Sequence, residues 1–61
     1  MNKVKFSEIA KGSIFWFKGY RMKKNKETTA FVIDKNGKHL EWTHMGINDI
    51  CELEQHFGVE E

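Results

Sequence analysis

The 61 residues predict one all-β domain, closed as a small five-stranded barrel, and three observations carry that reading. Glycines at 12, 19, 37, 46 and 58 punctuate a chain that has no proline. The segments between them are short and rich in aromatic and β-branched residues, as strands require. The chain is also too short for a sandwich, while closure removes exposed edges with few residues. A chain of this length buries only ~60% of the surface its unfolded form exposes, so its stability rests on a few large side chains. Here those are five Phe, two Trp and one Tyr, in a single domain spanning residues 1–61.

The elements follow in order. Ser7 can accept a hydrogen bond from the amides after it, so residues 7–10 read as one helical turn before Gly12 reverses the chain. Residues 14–18 read as the first strand, and Gly19 allows a tight return into a second strand over 20–24. The polar run 23–27 reads as an exposed loop, and 28–34 resumes strand chemistry with two Thr, Phe, Val and Ile. Asp34-Lys35-Asn36-Gly37 is the clearest local signal. Asp and Asn bond nearby backbone and Gly supplies a positive φ, so a hairpin closes there and 38–43 returns as the fourth strand. After Gly46 two readings compete. Asn48 could cap a helix over 49–56 with Ile50, Leu53 and Phe57 on one face, but alternation favours a short closing strand over 50–54.

Alternation then assigns faces. Phe15, Phe17, Ala30, Val32, Leu40 and Trp42 are expected inside, and Trp16, Phe31 and Ile33 outside.

Charge is divided along the chain. Residues 1–26 carry eight Lys or Arg against Glu8 alone, a charge of +7, while residues 27–61 carry two Lys against eight acids, a charge of −6. In so small a domain the halves must pack together, so mutual neutralisation competes with a basic face for nucleic acid and with a charge-complementary protein contact, including a weak homodimer. No unbroken apolar run, Ile14 to Phe17 included, exceeds four residues, far short of the ~20 residues of a membrane span. Near the N-terminus Lys3, Lys5, Ser7 and Glu8 interrupt Val4 and Phe6, leaving no signal-peptide stretch. One cysteine excludes an internal disulfide framework. The expected compartment is the reducing cytoplasm.

Candidate chemistry is sparse. His39, His44, Cys51 and His56 are ligand types for zinc, but their spacing lacks the close pairs of a zinc knuckle, so no metal and no cofactor is expected. Cys51 with His56 as nucleophile and base lacks a nameable third group, and no enzymatic activity is expected. Arg21, Lys23, Lys24 and Lys26 put four cations in six residues, with Trp16, Tyr20 and Phe31 near enough to stack bases, as single-stranded DNA or RNA binding requires. Against this, Trp16, Phe31 and Ile33 facing outward beside Arg21 and Lys23 would make an apolar centre with a basic rim. That pattern is typical of protein interfaces, and it makes protein recognition the leading expectation.

One resemblance spans roughly residues 5–43. Phe6, Glu8-Ile9, Gly12, Phe15, Gly19, Tyr20, Lys23, Thr29-Ala30, Val32, Asp34 and Gly37-Lys38 fall in an order that resembles small phage and prophage accessory proteins with SH3-like barrels. The resemblance implies that fold and a non-enzymatic accessory role, acting on a host protein. The segment from His44-Met45-Gly46 onward, with His56-Phe57, is longer than the pattern, and Trp16 and Trp42 are heavier than usual in it.

Overall fold

The computed structural model describes residues 2–55 as one antiparallel sheet of six strands. These are β1 (Asn2–Lys5), β2 (Ile14–Phe17), β3 (Tyr20–Lys26), β4 (Thr29–Ile33), β5 (His39–His44) and β6 (Ile50–Gln55), with a single 3₁₀ turn at Phe6–Glu8. The order across the sheet is β1-β6-β2-β3-β4-β5, so β2 to β5 form a meander and β6 inserts between β1 and β2. Among the described residues no helix is long and apolar enough to cross a membrane.

Local chemistry explains the connections. Lys18 (φ 51°) and Gly19 (φ 83°) form a two-residue loop with both residues left-handed, the geometry that matches the twist of a hairpin. The Asp34 carboxylate accepts hydrogen bonds from the amides of Asn36 (2.8 Å) and Lys38 (2.9 Å), and Gly37 takes φ 85°, closing β4 onto β5 as the sequence predicts. The helical turn sits one residue earlier than expected. Its start is held by Glu8, whose Oε1 accepts the Lys5 N–H at 2.9 Å, while the Ser7 N–H donates to Ile47 O instead of the Ser7 hydroxyl capping the turn.

The extents, 26 × 23 × 21 Å, are nearly equal, whereas a flat sheet would be a slab about 10 Å thick with its side chains. The sheet is therefore strongly curled. Its inner face gathers Phe15, Met22, Ala30 and Cys51, and the curl is filled by Phe6 and Ile9 from the segment after β1 and by Met45 after β5. Val4, Phe17, Val32 and Leu53 pack around this cluster, and the Phe6 and Phe15 rings meet edge to face with centroids 5.6 Å apart.

Several expectations are corrected. The sheet has six strands and is open in its pairing order, with β1 and β5 at its ends, where five strands closed as a barrel were predicted. The strand that sequence missed is β1: Val4 alone among lysines makes a weak signal, and the strand exists because β6 pairs with it from Lys5↔Ile50 to Asn2↔Leu53. Residues 50–55 form a strand, which settles the choice between helix and strand. The polar run 23–27 is mostly strand, with the chain turning only at Glu27-Thr28.

Leu40 and Trp42 are outside the core, at 59% and 58% exposure. The register pairs Phe31 with Trp42 and Val32 with Glu41, so Trp42 shares the outer face with Phe31. One further step along β4, to Ile33, takes two along β5, to His39, making Leu40 the extra residue of a bulge. Ile33, expected outside, is buried at 5% exposure.

Candidate functional site

The outer face of β3, β4 and β5 collects the exposed aromatic side chains. Phe31 and His39 stack with ring centroids 4.1 Å apart and planes 13° from parallel. Trp42 meets His44 edge to face at 5.1 Å. Lys23 lies opposite Phe31 in the register, and the Asn25 amide donates to the Thr29 hydroxyl at 3.2 Å. Together Asn25, Lys26, Thr29, Phe31, Trp42 and His44 line an open groove of about 300 Å³. Lys26 and the neighbouring Lys23 are the cations at this groove and among the described residues no carboxylate lines it, because Glu41, paired with inward Val32, points to the other side.

A second cluster is locked by charge. Glu54 on β6 accepts the Trp16 indole N–H at 2.6 Å and binds Arg21 through two oxygens, Nε to Oε1 at 3.1 Å and Nη2 to Oε2 at 2.9 Å. The Arg21 Nη1 also donates to Asp34 O at 3.3 Å. The Glu54 hydrogen bond raises the Arg21 pKa, and the Arg21 guanidinium in turn holds the Glu54 carboxyl below its usual range. This fork joins the basic half of the chain to the acidic half, and the register also sets Lys3 opposite Glu52 across β1 and β6.

Lys24 is a core residue. It is 6% exposed, its ammonium donates to Phe6 O at 2.9 Å, and its Nζ lies 4.5 Å from the centroid of the Phe6 ring. Burial pushes its pKa down.

The residues singled out for protein binding are therefore only partly brought together. Trp16 and Phe31 are half-buried on the outer face, with Arg21 engaged by Glu54 and Lys23 beside Phe31, but Ile33 is buried and unavailable. The set singled out for nucleic acid is divided more deeply. Lys24 is internal, and Tyr20, 60% exposed, lies on the inner side of the curl with Met22 and Val32. Of its cations Lys23 and Lys26 alone reach the aromatic face without a carboxylate partner in hydrogen-bond contact among the described residues.

Sequence reasoning overlooked Trp42, His39 and His44 as members of this face. The available signal was the Asp34–Gly37 turn: counting outward from it with one bulge places Trp42 opposite Phe31.

The metal and nucleophile candidates are dispersed. His39 and His44 sit at the two ends of β5, Cys51 lies in the core, and His56 falls outside the described residues. Burial, with Asp49 adding to it, pushes the Cys51 thiol from 9.0 up to about 11. The folded protein thus keeps this proton across a range in which the unfolded chain has lost it, and stability falls as pH rises from about 9 to about 11. The loss should be on the order of 2 kcal/mol, and Cys51→Ala should flatten it relative to wild type. Urea melts of both proteins at pH 8 and pH 10.5 measure this; equal pH dependence in the two would show that Cys51 titrates normally.

Comparison with known proteins finds no matching family model, no matching curated protein and no matching solved structure.

Proposed function

We propose that this chain is a non-enzymatic protein-interaction module that binds through β5 and the aromatic outer face beside it, on an open six-stranded variant of the SH3-like barrel. The observation that carries the reading is Trp42, a large apolar side chain 58% exposed on a strand at the end of the sheet, next to the stacked Phe31 and His39. Interfaces concentrate their energy in such aromatic anchors, and an end strand offers unpaired backbone to an extended segment. Lys23 and Lys26 supply the basic rim. Action on a host protein, as a phage or prophage accessory protein, is the role the resemblance over residues 5–43 suggests for it.

One observation favours a second reading, single-stranded nucleic acid. The groove on this face combines ring surfaces with Lys26, beside Lys23, and among the described residues no carboxylate lines it, so bases could stack while phosphates meet the lysines.

The two readings differ in which side chains matter. For a protein partner, Trp42→Ala and Phe31→Ala should each weaken capture about tenfold or more, the pair Lys23→Gln with Lys26→Gln should change it much less, and nuclease should leave the partner bound. Micromolar, salt-sensitive binding to single-stranded oligonucleotides, abolished by the lysine pair, would replace the first reading with the second.

A further inference from the structure

The two ends of the sheet are unlike. β1 carries Lys3 and Lys5, paired across to Glu52 and Ile50, and lysine on an end strand hinders a further strand from adding. β5 reads His-Leu-Glu-Trp-Thr-His, with no Lys, Pro or Gly, and its residues are exposed apart from half-buried Thr43. The Met45 N–H donates to Thr28 O at 2.7 Å. Hydrogen-bonded and non-hydrogen-bonded pairs alternate along an antiparallel ladder, so Thr43 and Glu41 turn their backbone groups toward β4, while Trp42 and His44 turn theirs to the open edge.

We propose that β5 pairs with β5 of a second copy, antiparallel and centred on Trp42, joining two sheets across a two-fold axis. The inference rests on reading β5 as the interaction surface. Side chains that meet across such an axis must lie on the same face, so the centre of pairing is a residue and not the gap between two. Centring on Glu41 sets two carboxylates opposite each other, which is destabilising. Centring on Trp42 removes that conflict. Trp42 then faces its own copy, Glu41 faces Thr43, and Leu40 faces His44, so the strand is complementary to itself without a like-charge pair. It also uses the backbone groups that alternation turns to the edge at Trp42 and His44, where the His44 carbonyl otherwise accepts the Thr43 hydroxyl at 3.5 Å. A net charge of +1 adds little repulsion between copies.

Sedimentation equilibrium of the whole chain from about 10 μM to about 1 mM should show a monomer–dimer equilibrium, and Trp42→Lys should raise the dimer Kd about tenfold or more with an unchanged thermal melt. Disulfide trapping reads the register. Glu41 and Thr43 of opposite copies form a non-hydrogen-bonded pair with Cα atoms about 4.5 Å apart, within disulfide reach. Under mild oxidation the double variant Glu41→Cys with Thr43→Cys should form covalent dimers, and neither single variant should. A monomer throughout the concentration range, a dimer untouched by Trp42→Lys, or trapping by Glu41→Cys alone would each overturn the inference. A monomer whose Trp42→Ala variant loses its host-protein partner overturns the dimer and keeps the interaction reading, whereas a dimer whose Trp42→Ala variant retains that partner does the reverse.

Discussion

Phe15→Ala removes a third or more of the protein's stability and lowers its thermal midpoint by about 10 °C or more. Phe15 is fully buried at the centre of the core, in edge-to-face contact with Phe6, and its strand is paired on both sides, with β3 through Met22 and with β6 through Leu53. Truncating such a ring costs about 3–5 kcal/mol, through lost transfer energy and an unfilled cavity. At ~0.05–0.15 kcal/mol per residue, a 61-residue domain has only about 3–9 kcal/mol to lose. Circular dichroism during heating measures the outcome, with Trp42→Ala as the contrast, since its exposed ring should shift the midpoint little. A cooperative Phe15→Ala transition within a few degrees of wild type would contradict this placement.

Lys24→Glu abolishes the fold, whereas Lys24→Met retains it. The ammonium sits against Phe6 O and over the Phe6 ring, so a carboxylate in its place meets a carbonyl oxygen and the negative face of an aromatic ring. An uncompensated buried charge costs about 3–5 kcal/mol. Methionine keeps an unbranched apolar stem in the same space. It gives up one hydrogen bond, about 1–2 kcal/mol, and Phe6 O still accepts the Ile9 N–H at 3.1 Å. Urea denaturation of the two variants separates these outcomes. Equal stability of Lys24→Glu and wild type would mean that this side chain reaches water.

These two residues also mark where sequence was informative. Phe15 could be placed because its strand is bounded by glycines and Phe15 shares a face with Phe17, and Ala30 and Val32 were assigned inward by alternation. Lys24 looked like one of four surface cations because nothing local says that Phe6 O waits for a donor 18 residues away. Trp42 was misassigned by a single register step. Alternation fixes which residues share a face, but only the pairing of Phe31 with Trp42 says which face that is, and the bulge at Leu40 shifts the count within the same hairpin. The site inherits that error, since three of its aromatic members lie on β5.

The insertion of β6 between β1 and β2 sets the order in which this chain can assemble. β2 through β5 are joined by short connections, so their ladders can zip from one hairpin to the next at little loop-closure cost. β1 has no such neighbour. It must wait for residues 50–53, distant in sequence, to pair with it, and the same strand brings Cys51 and Leu53 to the core. The meander can therefore form with Phe15 and Met22 still uncovered on one side, and the interior is sealed only when β6 joins it.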